Sequence, residues 1–179
     1  SVVQHQRTIL SEQELLNQAS FVLERISKAL RTAKKESLTT ATCLVDSFGT
    51  PYPGYNYLLT RPVAGVYTGI KFINQSDNNV CQEFYLDNIT DPSNPVLKEI
   101  KDGIPSNGIA LTSDKFIINS IRFGINGNGG SVSGPIGAAG NNGIQPRVTL
   151  FLEIQTKDSN QPIKKIQTTI SQRDLNVQQ

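Results

Sequence analysis

The stretch Ser11-Glu12-Gln13-Glu14-Leu15-Leu16-Asn17-Gln18-Ala19-Ser20-Phe21-Val22-Leu23-Glu24-Arg25-Ile26-Ser27-Lys28-Ala29-Leu30-Arg31 decides the fold of this chain. Its apolar side chains recur every three or four positions, at Leu15, Leu16, Ala19, Val22, Leu23, Ile26 and Leu30, and then at Ala33. This spacing places an apolar stripe along one face of an α-helix. Because no Gly or Pro occurs between Ser1 and Phe48, the pattern predicts a helix from about Thr8 to Glu36, inside a helical segment 1–36.

The predicted helix is long compared with the rest of the molecule. At 1.5 Å per residue it would measure roughly 43 Å, whereas a compact chain of this length has a radius of gyration of about 16 Å. Residues 1–14 are mostly polar, and the apolar stripe is densest from Leu15 to Leu30. We therefore expect the C-terminal half of the helix to lie in the core and the N-terminal part to project, which implies a continuation or a partner.

After the helix the periodicity changes from 3.6 to 2, as is typical of strands. The segment with the clearest alternation, Arg147–Thr156, carries Val148, Leu150, Leu152 and Ile154 on one face. The other predicted strands are Thr42–Asp46, Tyr55–Thr60, Gly69–Asn74, Val80–Leu86, Val96–Ile100, Lys115–Ile125 and Ile163–Ser171. Short connections favour antiparallel pairing. The sequence therefore predicts one α+β domain, in which the N-terminal helix lies across an antiparallel sheet formed by residues 37–179.

Two segments are predicted to be loops from their composition. Residues 48–55 are rich in aromatic and turn-forming residues, and the segment 124–146 is rich in glycine with few large side chains. Within it, Gly127-Asn128-Gly129 begins like a phosphate-binding loop, but no Lys-Ser/Thr pair and no helical pattern follow. A mobile loop is the better interpretation.

The charge balance does not single out a polyanionic partner. The formal net charge is +2, which makes nucleic acid an unlikely ligand. Arg25, Lys28, Arg31 and Lys35 form a basic row near the end of the helix, where cations complement the helix dipole. The printed sequence contains no apolar run long enough to span a membrane.

The chain contains two cysteines, Cys43 and Cys81, each within a predicted strand. In an exported protein we expect them to form a disulfide, which would stabilise the fold by about 4 kcal/mol on the chain-entropy estimate. In a cytosolic protein they would be two buried thiols. With one histidine and no C-x-x-C pair, a zinc site is not expected.

Little in the sequence points to catalysis. The one histidine, His5, lies in the projecting part of the helix, so the folded body cannot supply a Ser–His or Cys–His pair. The carboxylate pairs Glu83 with Asp87 and Glu99 with Asp102 are interpreted as solvated surface charge. Asp/Asn clusters at 77–79 and 87–91 leave a calcium site open, although such clusters are usual in turns. We expect no enzymatic activity and no cofactor.

The helix 11–31 resembles the helix of bacterial type IV pilins and type II secretion pseudopilins. The closing segment Ile166–Leu175 is similar to the C-terminal strand of minor pseudopilin-like subunits, and Ile70–Asn74, Cys81–Asp87 and Leu97–Gly103 also fit. The family's prepilin cleavage site, with an apolar helix carrying Glu at its fifth position, is missing, since position 5 is His5. We therefore expect this chain to be the part of a subunit that follows the membrane helix.

The resemblance implies a pilin-like fold and assembly, through the N-terminal helix, into a filament that is anchored in the inner membrane beforehand and displayed at the cell surface or outside the cell. Residues Val2–Glu14 would face neighbouring subunits, while Leu15, Leu16, Val22, Leu23, Ile26 and Leu30 would seat the helix on the sheet. Without its apolar anchor the chain is expected to be monomeric. The alternative is a secreted binding module or adhesin that presents loops 48–57 and 124–143 to a ligand.

Overall fold

The computed structural model describes residues 1–126, 138–139, 145–157 and 161–173. These residues form one long helix and a large antiparallel sheet, so the predicted α+β class is confirmed. The helix, α1, spans Val2–Arg31. The strands are β1 Ala33–Lys34, β2 Tyr57–Val63, β3 Val66–Asn74, β4 Val80–Asp87, β5 Val96–Lys101, β6 Ile109–Ala110, β7 Phe116–Asn126, β8 Ala138–Ala139, β9 Arg147–Thr156 and β10 Lys164–Ser171.

Strand β3 joins the two parts of the sheet. The strands follow the order β10-β9-β7-β3-β4-β5-β6, and every pairing is antiparallel. Strands β1 and β2 also pair with β3, and β8 pairs with β2. Strand pairing between β7 and β3 is limited to Tyr67 and Phe123, so the three-stranded part β7-β9-β10 joins the ladder of the other strands at one end of β3.

The helix covers one face of this sheet, here called the helix face. Its buried residues are Leu15, Ala19, Val22, Ile26, Ala29 and Leu30, and they share a core with Tyr57, Phe72, Phe84, Leu150, Leu152 and Ile154. These strand residues alternate with outward-pointing ones, as the pleat requires. Amphipathic periodicity in the helix and alternation in the strands thus bury the same core from two sides.

Burial along α1 is uneven. Every residue from Ser1 to Leu10 is exposed, whereas the buried positions begin at Leu15 and continue to Leu30. Two contacts mark where the helix leaves the body: the Gln161 side-chain amide donates to the Thr8 carbonyl at 3.2 Å, and Lys164 lies 2.5 Å from a carboxylate oxygen of Glu12. N-terminal to these contacts, the described residues of the body do not cover the helix.

The helix ends at Arg31 and not at Glu36 as predicted. Its terminal carbonyls accept hydrogen bonds from the sheet and from the residues after β10: the Tyr57 hydroxyl donates to Leu30 O at 2.6 Å, and the Arg173 amide donates to Arg31 O at 2.8 Å. The next residues, Ala33 and Lys34, pair with the end of β3. Pairing with a strand edge therefore overrides the helical pattern that continues to Ala33.

The segment 37–55 covers the face of β2, β3 and β4 that points away from the helix. Leu58, Ile73 and Cys81 point to this opposite face, and they pack with Cys43, Leu44, Tyr52 and Tyr55 from the segment. The predicted strand Thr42–Asp46 is wrong, because its one ladder contact is an isolated bridge between Val45 and Pro51. Its apolar residues pack against the outer face of the sheet and do not form a strand of it.

Three predicted features fall partly outside the described residues. These are the glycine-rich segment 124–146, the adhesin loop 124–143 and the closing segment Ile166–Leu175. Within the glycine-rich segment, Ala138–Ala139 form the short strand β8 against Tyr57 and Leu58. The short strands β1, β6 and β8 were not predicted from the sequence.

Candidate functional site

The structure contains the predicted disulfide between Cys43 and Cys81, whose Cα atoms lie 5.3 Å apart. Cys81 belongs to β4, but Cys43 lies in the irregular segment 37–55 and not in a strand. The bond therefore attaches this segment to the sheet. Beside it, the Glu36 carboxylate accepts hydrogen bonds from the backbone amides of Cys43 and Leu44 at 2.9 and 3.0 Å, which fixes the same point by a second means.

The six residues predicted to seat the helix do not all do so. Leu15, Val22, Ile26 and Leu30 are fully buried, and Leu23 is partly buried against the core. Leu16 is 45% exposed, so its assignment to the helix–sheet contact is wrong. Adjacent helical residues are rotated by about 100° from each other, and with Leu15 directed into the core, Leu16 is turned towards solvent.

Leu16 belongs instead to a set of exposed apolar side chains on α1. Val2, Ile9 and Leu16 are 74%, 42% and 45% exposed and are spaced seven residues apart. Val3 and Leu10, also exposed and seven apart, form a second row. Apolar residues at this interval lie on the same side of a helix, so each row is an apolar strip along α1. The part of α1 from Val2 to Leu16 thus presents two apolar rows whose side chains are 42% exposed or more.

The second exposed apolar feature is Phe48, which is 92% exposed. Its loop is rigidly bonded: one oxygen of the Asp46 carboxylate accepts from the amides of Phe48 and Thr50 at 2.9 and 2.8 Å, and the other accepts from the Tyr52 hydroxyl at 2.8 Å. The hydrogen bond from the Thr50 amide is the main cause of a lowered pKa at Asp46. Burial first, and then its bond to Asp46, raise the pKa of Tyr52 to about 12.

Two carboxylates that were interpreted as surface charge are in fact buried. Glu99 accepts from Arg25 of the helix at 2.5 Å and also from Gln82, while Glu83 accepts from Thr60 at 2.7 Å and from Arg61 at 3.1 Å. The Arg25 member of the basic row therefore ties α1 to β5 across 74 positions of sequence. No local sequence pattern predicts such a pair, because its two partners lie on different secondary-structure elements.

In the Asp/Asn turns that were candidates for a calcium site, the carboxylates bond to neighbouring groups of the protein. Although burial opposes it, hydrogen bonds from Lys98 and Thr90 hold the pKa of Asp87 well below its usual range, and Asp87 in turn raises the pKa of Lys98. Asp77 lies 2.5 Å from Lys101. Across the described ranges no group of three or more His, Cys, Asp or Glu side chains could hold a metal ion.

His5 is exposed in the projecting turns of α1, away from the core of the folded body. In the part of the chain that the structure describes, no helix combines the length and the apolar character that a membrane crossing requires. Two surfaces are candidates for function: the exposed apolar rows of α1 and the Phe48 loop.

Comparisons with family models, with curated proteins and with solved structures find no match to this chain.

Proposed function

We propose that this protein is a structural subunit, a pilin or pseudopilin, of a type IV pilus-like or type II secretion filament. The observation that carries the proposal is the division of α1 into a buried half and an exposed half. The half from Leu15 to Leu30 belongs to the core, whereas the first turns expose two apolar rows with a seven-residue spacing. A helix of this form can hold the folded body with its C-terminal part and offer apolar side chains to other helices with its N-terminal part.

The proposal assigns each half of the helix a separate task. The buried half fixes the orientation of α1 relative to the sheet, through Ile26 and through the bond of Arg25 to Glu99. The exposed half enters a bundle with the helices of neighbouring subunits, and an apolar segment preceding it in the full-length gene product holds the subunit in the inner membrane before assembly. On this proposal the subunit functions at the cell surface or outside the cell, without catalysis or a cofactor.

Substitutions in the exposed rows test this proposal without altering the core. The double substitution Ile9→Gln with Leu10→Gln is made in the full-length gene product, expressed in a cell that assembles such filaments. It should abolish the filaments that shearing releases from the cell surface. Both positions are exposed, so the unfolding midpoint of the soluble chain should not change. Glutamine is a good helix former, which separates loss of apolar surface from loss of the helix.

The matched control is Gln6→Ala with Gln13→Ala, which alters two exposed polar residues of the same segment and should leave assembly intact. Filaments that form equally well when Ile9 and Leu10 are both replaced by glutamine would contradict the proposal. So would the absence of this protein from any filament when the natural sequence is expressed. The soluble chain itself should sediment as a monomer at micromolar concentration, and a stable large oligomer would count against the proposal.

A second candidate function has one observation in its favour. The Phe48 loop is closed by hydrogen bonds to Asp46 and carries an almost fully exposed aromatic ring, as a binding module or secreted adhesin would require of loop 48–57. On that alternative Phe48→Ala should abolish ligand binding, and substitutions in the first turns of α1 should have no effect. The upstream gene sequence separates the two: a prepilin-type cleavage site and an apolar helix favour the subunit, and an ordinary signal peptide favours the adhesin.

A further inference from the structure

Two stretches of the chain match the acceptor motif for N-linked glycans, Asn-X-Ser/Thr with X other than proline. They are Asn74-Gln75-Ser76, which begins at the last residue of β3, and Asn88-Ile89-Thr90, which directly follows β4. Such a motif can be used only where its asparagine lies on the surface of an exported protein. The burial and the hydrogen bonds of the two asparagines therefore decide which of them can carry a glycan.

The side chain of Asn74 is buried in the folded protein. It is 5% exposed, and its amide nitrogen, the atom that would receive the glycan, donates to Gln82 Oε1 at 2.7 Å. Its carbonyl oxygen accepts from the amide and the hydroxyl of Ser76 at 3.1 and 2.8 Å. A glycan on the Asn74 nitrogen would need the space that Gln82, itself buried, occupies. The folded chain therefore has no room for a glycan at Asn74.

Asn88 has the opposite surroundings. It begins the turn between β4 and β5, and all three residues of its motif are exposed. The Asn88 side chain makes no hydrogen bond to any residue that the structure describes. Ile89, in the middle of the motif, is 79% exposed, so it gives the core no packing that a neighbouring glycan could disturb. A bulky group on Asn88 would extend into solvent.

The backbone of this turn is held by Asp87. One oxygen of the Asp87 carboxylate accepts from the amides of Ile89 and Thr90 at 3.1 and 3.0 Å, and the other accepts from the Thr90 hydroxyl at 2.6 Å. Lys98 of β5 also donates to this second oxygen, at 2.6 Å. These bonds fix the turn without using the Asn88 side chain. Modification of the Asn88 amide nitrogen therefore leaves the turn intact.

We propose that Asn88 is an acceptor site for an N-linked glycan and that Asn74 is not. The donor is a glycan carried on a polyisoprenyl diphosphate. The bond from its anomeric carbon to the diphosphate oxygen breaks, a bond from that carbon to Asn88 Nδ2 forms, and Nδ2 loses one proton to the departing diphosphate. The reaction requires export, and the disulfide between Cys43 and Cys81 supports this setting, because disulfides are typical of exported proteins.

This inference goes beyond the proposed function and does not depend on it. The proposed filament contact uses the first turns of α1, whereas Asn88 lies in the turn after β4. A chain that forms no filament can still accept the glycan at Asn88. Conversely, a chain that accepts no glycan can still assemble, so the two proposals fail separately.

Secretion of the chain from a eukaryotic host tests the inference, because such cells supply both the donor and the transferase. The mass of the secreted, disulfide-bonded chain should increase by one glycan, and peptide N-glycosidase should remove this glycan and convert Asn88 to aspartate. Thr90→Ala should abolish the modification, because the motif loses its hydroxyl. Thr90→Ser keeps the hydroxyl and should retain the modification, and Asn88→Gln should abolish it without changing the unfolding midpoint.

The matched control is Ser76→Ala, which removes the motif at Asn74 and should leave the glycan content of the secreted chain unchanged. A folded chain that carries a glycan at Asn74 would overturn the inference. So would a chain without a glycan at Asn88, when another glycoprotein secreted by the same cells is modified. A glycan that persists in Thr90→Ala would contradict the assignment of the site.

Discussion

One face of the sheet is covered by a helix of 30 residues and the other, over β2 to β4, by the irregular segment 37–55. The helix is held by apolar packing spread over many residues, with Arg25 and Glu99 as one polar tie. The segment is held at a few points by a disulfide, by the carboxylate of Glu36 and by the Lys71 ammonium, which donates to Val45 O. Each cover also extends an exposed apolar group beyond the body, the first turns of α1 in one case and Phe48 in the other. Both covers thus seal the core and carry a candidate contact surface.

Breaking the helix cover should have the largest effect on stability. Ile26 is fully buried between α1 and the sheet, and Ile26→Ala should lower the free energy of unfolding by about 2–5 kcal/mol, because it removes apolar contacts and leaves a cavity. Leu10→Ala, in the exposed half of the same helix, should change it by less than about 0.5 kcal/mol. Chemical denaturation of both variants measures the difference, and equal losses would show that the helix is not divided as described.

Opening the disulfide should weaken the other cover. The two cysteines are 38 positions apart, and replacing both by alanine should cost about 2–4 kcal/mol, since the unfolded chain regains the freedom that the cross-link removes. Hydrogen exchange should then accelerate at Leu44 and Tyr52 well before it does at Val22 and Ile26. Equal acceleration at all four positions would mean that the two covers open as one unit.

The carboxylate of Glu36 should have a smaller effect on the same cover. It is buried and accepts from three backbone amides, those of Ser37, Cys43 and Leu44. Glu36→Gln places an amide donor among these donors, and the expected cost is about 1–3 kcal/mol. The control is Glu14→Gln at an exposed position of α1, where no measurable change in the unfolding midpoint is expected. If Glu36→Gln also left the unfolding midpoint unchanged, the hydrogen bonds of Glu36 would not be what fixes the segment.

The smallest effect is local and depends on pH. The pKa of Asp46 is lowered in the folded loop, chiefly by the Thr50 amide. The ionised carboxylate therefore contributes its full share to the stability of the loop above the pKa of an unfolded aspartate. It is lost as the pH falls through the lowered, folded value. The amide resonances of Phe48 and Thr50 should therefore move at lower pH than an ordinary aspartate titrates, while those of Ile26 stay in place. Movement at the ordinary aspartate pKa would contradict the bonded loop.

The two covers also differ in how far the sequence predicts them. The apolar stripe of α1 and the alternation in β9 and β10 each follow one period, so the helix, these strands and the fold class are predictable from local spacing. The segment 37–55 follows no period. Cys43, Leu44 and Val45 look like a strand because they are apolar and consecutive, yet their backbone groups bond to Glu36 and Tyr52. Whether these residues form a strand depends on a glutamate seven positions away and on packing against the sheet, and neither is part of the local sequence pattern.

The candidate contact surfaces show the same contrast. Leu16 and Leu15 are adjacent apolar residues, and only the position of the sheet decides which one faces the core. The sequence predicts the exposure of Val2, Val3, Ile9 and Leu10, because they lie in the projecting segment, but it does not predict the exposure of Leu16. The burial of Glu99 and Glu83 could not be predicted, because Arg25 and Arg61 reach them across the fold. Long-range pairs of this kind leave no local pattern.

Hydrogen exchange along α1, in the isolated chain and in the proposed filaments, tests the central claim most directly. In the isolated chain the amides of residues 2–10 should exchange fast and those of residues 22–31 slowly, because the buried half opens only with the core. In the proposed filaments we expect strong new protection over residues 2–10 and little change over 22–31. Filaments in which the amides of residues 2–10 exchange as fast as in the isolated chain would contradict the proposal.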